Sequence, residues 1–125
     1  MIGIKRAYEV PSRADGTRFL VDRLWPRGVK KEALAIKSWL KDVAPSNELR
    51  KWYHHDEGQW DEFRRRYFAE LKENPDAWQP LLEAAREGAV TLIYSAKHED
   101  HNNAVALKEF LTERLHGKKK RAANS

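Results

Sequence analysis

Two short charged segments carry most of the side chains that could bind or transform a ligand. Residues 22–28 have the sequence DRLWPRG, and residues 95–103 have the sequence SAKHEDHNN. Their cationic side chains are Arg23, Arg27 and Lys97. Arginine suits phosphate and carboxylate groups because its fork of N–H donors matches two oxygens. The two segments therefore predict a pocket that binds a small anionic ligand.

Three further residues of these segments are predicted to complete the site. Trp25 is expected to wall the pocket, and Asn102 lies where the last helix is expected to begin. The free N–H groups of a helix N-terminus and the positive end of its dipole favour an anion there. Asp22 is expected to orient a cation or a histidine. The alternative is that Asp22 and Arg23 form structural ion pairs, which imitate functional charge clusters.

Four of the five histidines fall in two pairs, at residues 54–55 and at His98 and His101. A histidine beside a carboxylate can act as a general acid or base, and we choose His101 and His55 as the catalytic candidates, together with Asp22. The three-residue spacing of His98 and His101 also fits one helix face, which leaves a metal site as an alternative. Without an HExxH pattern we predict no metal, and we predict no other cofactor.

A run of three arginines at residues 64–66 lies on the most clearly amphipathic segment of the chain. Phe63 and Tyr67 face inward in this pattern, so the arginines fan outward and are mostly solvated. Arg66 and Tyr67 would border the ligand site if this helix packs over the strand ends. The run also supports a second hypothesis, a nucleic-acid-binding module that uses this helix and the basic C-terminal segment.

Composition limits the class of protein. The 125 residues suit one domain, and 41% hydrophobic with 34% charged residues is typical of a globular protein. The absence of cysteine excludes disulfides, Cys-ligated zinc and thiol nucleophiles. No apolar run approaches the ~20 residues that a membrane-spanning helix needs, and the N-terminus lacks the apolar core of a secretion signal. We therefore expect a cytoplasmic protein with no membrane association.

Three strands are predicted to position the charged segments. Residues 2–10 alternate between apolar and polar side chains and predict an outer strand. Residues 18–24 form a second strand that runs into the first charged segment. Residues 89–94 are continuously apolar and rich in β-branched residues, which is typical of a central strand covered on both faces.

Helices are predicted between the second and third strands and after the third. The first carries Ile36, Trp39, Leu40 and Val43 on one face, and the others are expected to begin at Ser46, Asp56, Pro80 and about Asn102, ending at Ala44, Asn74, Gly88 and Leu115 where a stop is indicated. Ser46 has the hydroxyl of an N-cap, whereas Asp56 and Gln59 resemble a capping box. Gly88 is the expected C-cap of the fourth helix.

This order predicts an α/β fold: a small sheet with a parallel strand pair joined by a helical crossover, and helices packed on the sheet. Parallel strands end at the same edge, so both charged segments are expected to meet there. Residues 1–116 are predicted to form the domain and residues 117–125 a basic disordered tail. The tail holds four of the 24 basic residues and no acidic ones, which leaves 20 basic against 19 acidic residues in the body. The formal charge of +5 thus belongs mostly to the tail.

Several motifs resemble those of one bacterial family. They are LVDRLWPRG at 20–28, WLKDVAPS at 39–46, ELRKWYHHD at 48–56, FRRRY at 63–67, AK at 96–97 and HNNA at 101–104. Their order is similar to that of the YeaO-like branch of the family called domain of unknown function 488. The resemblance implies a small cytoplasmic α/β protein and supplies no reaction. The matching polar residues are Asp22, Arg23, Arg27, Lys41, Ser46, Arg50, His55, Asp56, Arg66, Tyr67, Lys97, His101 and Asn102. His98 departs from the family, which often has an acidic residue there, so a ligand role for His98 is disfavoured.

Overall fold

The computed structural model describes residues 1–54 and 56–124, with side chains described except at 57 and 117–124. Four strands form a single sheet in which every pair is parallel. In sheet order they are β1 (Ile2–Arg6), β4 (Val90–Tyr94), β2 (Thr17–Leu20) and β3 (Ser38–Trp39). The predicted α/β class is confirmed, as are the outer position of the first strand and the central position of the continuous apolar run.

Five helices accompany the sheet in the described part of the chain. They are α1 (Lys31–Leu34), α2 (Asn47–Trp52), α3 (Trp60–Lys72), α4 (Pro75–Glu87) and α5 (Asn103–Asn124). Short 3-10 turns occupy Arg13–Asp15, Lys41–Val43 and Glu57–Gln59. The predicted crossover is present, because α2, α3 and α4 all lie in the chain between the parallel strands β2 and β4. None of the helices, within the part of the chain described, is long and apolar enough to span a bilayer.

The two faces of the sheet are covered unequally. Val90, Leu92 and Tyr94 belong to the main core, which buries the apolar sides of α3, α4 and α5. The alternate residue Ile93 points to the other face, where it packs with Leu34 of α1 in a much smaller cluster. Helices therefore form a layer on one face, and mainly the irregular segment around α1 covers the other.

The predicted helix over residues 36–43 is wrong. Ser38 and Trp39 instead form β3, paired with Phe19 and Leu20 of β2. The apolar residues are divided between the two faces: Trp39 packs against the smaller cluster, and Val43 is part of the main core. The apolar residues of this segment are spaced as in a helix, although they are buried in two different clusters. Periodicity alone therefore could not identify the strand.

Two strands are shorter than predicted. β1 ends at Arg6, where the Glu9 N–H donates to the Arg6 carbonyl and begins a turn. Tyr8 and Val10, expected to point inward, are exposed, Val10 to 81%. β2 ends at Leu20, although the Val21 N–H still donates to the Ile93 carbonyl.

Two helix ends follow their predicted capping residues, and the start of α4 differs from its prediction. The Ser46 hydroxyl caps α2 by accepting from the Leu49 N–H at 3.2 Å, and Gly88 is the C-cap of α4, both as predicted. α4 begins at Pro75 and contains Pro80 in its interior, so the predicted start at Pro80 is wrong. Proline is favoured in the first turn because its missing N–H is not needed there, and Pro75 takes that position.

Two further helix ends also differ from the predictions. α3 begins at Trp60 after a 3-10 turn, and no capping box forms, since the Gln59 side chain accepts from the His54 N–H. α5 was expected to end near Leu115, but its backbone continues to Asn124. The disorder predicted for residues 117–125 stays a prediction. Residues 118–123 are lysine, arginine and alanine, all strong helix formers. The predicted boundary between domain and tail at residue 117 stays a prediction.

Candidate functional site

A cavity of about 360 Å³ lies at the edge of the sheet where β2 and β4 end. It is bounded by the chain that follows β2, the chain that follows β4, the segment that includes α2, and the start of α5. The lining residues are Asp22, Arg23, Leu24, Ala44, Pro45, Asn47, Arg50, Lys51, Tyr53, Phe63, Ser95, Ala96 and Asn103. The cavity thus occupies the edge at which open α/β sheets commonly bind ligands.

Asp22 holds the two predicted loops together. Its Oδ2 accepts from the Ser95 N–H at 2.9 Å and from the Ser95 hydroxyl at 2.7 Å. Its Oδ1 accepts from Nδ2 of Asn103 at 3.0 Å, and the Asp22 carbonyl accepts from the Trp39 indole. The carboxylate is therefore used to fix the strand-end loops and the start of α5, and it lines the cavity as a positioning group.

Three cations reach the cavity: Arg23 after β2, and Arg50 and Lys51 on α2. Arg23 donates to the carbonyls of Ala44 and Pro45, at 3.3 and 3.5 Å. Arg50 donates to the Asn47 side chain at 2.9 Å. Among the side chains that the structure describes, none of the ion pairs involves any of the three cations. The lining therefore has more positive than negative charge.

The short helix that carries two of these cations is tied at both ends. At its start, the Ser46 N–H and hydroxyl donate to the two carboxylate oxygens of Glu70 on α3, at 2.9 and 2.6 Å. At its end, the Tyr53 hydroxyl donates to the His101 carbonyl at 2.9 Å. A helix of six residues would not be stable alone, so α2 depends on these contacts. The same contacts fix Arg50 and Lys51 relative to the sheet.

The floor of the cavity is aromatic. Tyr53 and Phe63 stack with ring centroids 4.1 Å apart, and both are buried. Burial raises the pKa of Tyr53 to about 12, so its hydroxyl stays protonated and continues to donate to the His101 carbonyl.

A family model described as the inactive DUF488-N3 subclade matches residues 1–125. The chain belongs to this subclade. It is 43% identical over 110 residues to the uncharacterized protein YeaO of Escherichia coli K12, and the aligned region covers 88% of this chain and 96% of YeaO. It is 39% identical over 113 residues to the uncharacterized protein Rv3073c of Mycobacterium tuberculosis H37Rv, covering 90% and 95% of the two chains. No solved structure matches the chain significantly. The family membership predicted from the sequence motifs is thus confirmed.

In this member of the subclade, Arg23 lines the cavity, whereas the other six predicted ligand-binding residues lie outside the lining: Trp25, Arg27, Lys97, Asn102, Arg66 and Tyr67. The Trp25 indole donates to the Val29 carbonyl at 2.7 Å, and its ring packs edge-on against Trp39 under the smaller cluster. Arg27 is exposed, and the described contact it makes is through its carbonyl, which accepts from Tyr8. Lys97 is exposed as well. The loop after β2 therefore sends Asp22 and Arg23 to the cavity, and Trp25 to the other face.

Three more candidates have structural contacts. Tyr67 is fully buried and its hydroxyl donates to the Val43 carbonyl at 2.5 Å. Burial, then the Glu70 carboxylate, raises the pKa of Tyr67 well above its usual value. The buried Asn102 side chain caps α5: its Oδ1 accepts from the Val105 N–H, and its Nδ2 donates to two loop carbonyls. Arg66 donates to Glu62 and lies over the Trp52 ring.

The catalytic candidates are separated in this subclade member. Asp22 lines the cavity, whereas His101 stacks between Trp60 and His98, with ring centroids at 4.7 and 5.1 Å, and is outside the lining. His55 lies outside the described residues. Among the described side chains, no group of three or more histidines, aspartates or glutamates is placed to hold a metal ion.

The arginine run on α3 is neutralised by carboxylates. Arg64 pairs with Asp61 and with Glu109 of α5, while Arg65 and Arg66 both pair with Glu62. Both side-chain hydrogen bonding and the charge of Arg65 and Arg66 lower the pKa of Glu62, so it stays ionised. The run is a surface network that joins α3 to α5.

Sequence reasoning missed most of the cationic lining. The sequence indicates Arg50 only through the family motifs, and no sequence pattern indicates Lys51. Their helix shows a clear apolar position at Leu49, which is buried, but a six-residue helix has too few turns to indicate where its polar face points. Ser95 and Asn103 lie close in sequence to Lys97 and Asn102, which are predicted site residues. Only their hydrogen bonds to Asp22 distinguish Ser95 and Asn103 from these neighbours.

Proposed function

We propose that this protein binds a small anionic ligand, with a phosphate or carboxylate group, in the cavity at the ends of β2 and β4. The observation that carries the proposal is the convergence of Arg23, Arg50 and Lys51 on one cavity without a carboxylate partner among the described side chains. Unpaired cations that line a concave site attract anions and hold them with charge-assisted hydrogen bonds.

Binding without turnover is the form of the proposal that we favour over an enzyme. The description of the subclade as inactive supports it. The contacts around the cavity support it too, because both Asp22 oxygens already accept hydrogen bonds and His101 is outside the lining. A general acid or base must reach the reacting group, and no histidine of the described part lines the cavity. We also propose that the protein is cytoplasmic, as the sequence leads us to expect.

We do not extend the proposal to nucleic-acid binding by the folded body. The arginines of α3 are paired with Asp61, Glu62 and Glu109, which leaves that surface with little excess positive charge. The basic segment after residue 117 is the remaining candidate for contact with phosphate backbones, and its contribution is tested separately below.

Isothermal titration calorimetry with inorganic phosphate at low salt tests the proposal. Arg50→Ala is expected to weaken the affinity about three- to tenfold, because it removes one charge-assisted contact. Arg65→Ala is the matched control: Arg65 is an exposed arginine outside the cavity lining, so its loss is expected to leave the affinity unchanged. The proposal fails if the wild-type protein does not bind phosphate, or if both variants bind it like the wild type.

A further inference from the structure

The cavity is larger than a free inorganic anion requires. Its volume of about 360 Å³ lies within the ~300–1,000 Å³ range of small-molecule sites. A water molecule takes up ~30 Å³ in the liquid, and a phosphate ion is only a few times larger. Such an ion would occupy the cationic part of the cavity and leave the remainder to water.

The remainder of the lining is mainly apolar. Leu24 and Ala96 come from the two strand-end loops, Ala44 and Pro45 precede α2, and Phe63 comes from α3. Water against such walls is replaced favourably by apolar atoms of a ligand. The lining can therefore make apolar contacts with the carbon framework of a ligand as well as ionic contacts with an anionic group.

Leu24 is the most informative of these residues. Its exposed fraction is 63%, so it contributes little to the core. Three other large apolar side chains of the described chain are comparably exposed, Met1, Tyr8 and Val10, and none of them lines the cavity. Leu24 follows Arg23 directly, so one loop presents a cation and an apolar side chain to the same space.

We infer that the ligand is an organic anion, in which one phosphate or carboxylate group is attached to an apolar body. The anionic group contacts Arg23, Arg50 and Lys51, and the apolar body packs against Leu24 and its apolar neighbours in the lining. This inference rests on the proposed function, since it specifies the class of anion that the same cavity binds.

Phenyl phosphate, inorganic phosphate and phenol separate the contributions in calorimetric titrations of the full chain. Phenyl phosphate is expected to bind at least about tenfold more tightly than inorganic phosphate, because its ring buries apolar surface. Phenol, which lacks the anion, is expected not to bind measurably. Leu24→Ser is expected to weaken phenyl phosphate about three- to tenfold and to leave inorganic phosphate unchanged. Val10→Ser is the matched control, because Val10 is an exposed apolar residue outside the lining, and it is expected to change neither affinity.

The outcomes distinguish this inference from the proposed function. Equal affinity for phenyl phosphate and inorganic phosphate overturns the organic-anion inference and leaves anion binding intact. A preference for phenyl phosphate that survives Leu24→Ser also overturns it, because the apolar body would then lie elsewhere. No binding of either phosphate overturns the proposed function itself. Because Leu24 is mostly exposed, the serine variant is expected to fold, which its thermal unfolding midpoint checks.

Discussion

A single carboxylate, Asp22, connects three of the four parts of the chain that meet at the cavity. It accepts from the Ser95 backbone and hydroxyl and from the Asn103 amide, so donors surround both of its oxygens. Such a group is difficult to replace even by its isostere, because an asparagine would turn one N–H₂ group toward donors. Asp22 therefore determines loop geometry more than it offers charge to a ligand.

Asp22→Asn is expected to lower the free energy of unfolding by about 1–3 kcal/mol, since it leaves partly buried donors unsatisfied. Urea denaturation measures this loss. The matched control is Asp61→Asn, whose carboxylate is 93% exposed and makes one ion pair with Arg64, and it is expected to change stability by less than about 0.5 kcal/mol. Equal stability of the two variants would contradict the role assigned to Asp22.

At the scale of elements, α2 depends on its neighbours. The Ser46 hydroxyl accepts from the Leu49 N–H and donates to Glu70, so one side chain both caps the helix and attaches it to α3. The Arg50 and Lys51 side chains are placed by this attachment. Stability of the cap and affinity for an anion are therefore coupled through the same residue.

Ser46→Ala is expected to destabilise the protein by about 1–2 kcal/mol through loss of the cap, and to weaken phosphate binding as α2 loosens. Thermal unfolding and calorimetric titration measure the two effects. Ser38→Ala in β3 is the control, because no side-chain hydrogen bond of Ser38 is present among the described contacts, and it is expected to leave binding unchanged. A Ser46→Ala variant that is destabilised but binds normally would show that α2 does not position the cations.

Sequence patterns predicted β4 and α5, because the burial of each follows one regular pattern along its length. The run 89–94 is apolar except for Thr91 because β4 is covered on both faces, and Ala104, Leu107 and Leu111 of α5 all face the main core. The same patterns failed for residues 36–43, where Trp39 and Val43 face opposite sides of the sheet. Local spacing cannot show that neighbouring apolar residues serve different layers.

A cavity lies at the edge of the sheet where the site is predicted, but most of the predicted site residues lie outside its lining. Parallel strands implied a common edge, and Asp22 and Arg23 do line the cavity there. Trp25 follows Arg23 by two residues and yet packs on the opposite face of the sheet with Trp39. The direction of a loop side chain is set by tertiary contacts, and those contacts also bring in Arg50 from a distant helix.

For the whole molecule, charge is divided unequally along the chain. Residues 118–121 carry four positive charges, which leaves the rest of the chain near neutrality. Non-specific attraction to a polyanion falls steeply with salt and scales with the number of cations that contact phosphates. Any such attraction is therefore expected to depend on this segment.

Removal of residues 118–125 is expected to abolish binding to double-stranded DNA at low salt, and to leave phosphate binding in the cavity unchanged. Fluorescence anisotropy across a salt series measures the first effect, and calorimetry measures the second. A truncated chain that keeps its DNA affinity would locate a nucleic-acid surface in the folded body, in conflict with the paired arginines of α3.

The strand order has a consequence for how the protein is made. β1 and β2 do not pair with each other; both pair with β4, which is the last strand in the sequence. During synthesis, the first 89 residues emerge with β2 and β3, which pair with each other, but without β4, the strand that joins this pair to β1. Until the ribosome has released Val90–Tyr94, β1 has no strand partner and β2 is paired on one side only, and a nascent chain in this state is exposed to aggregation. The sheet is therefore completed late.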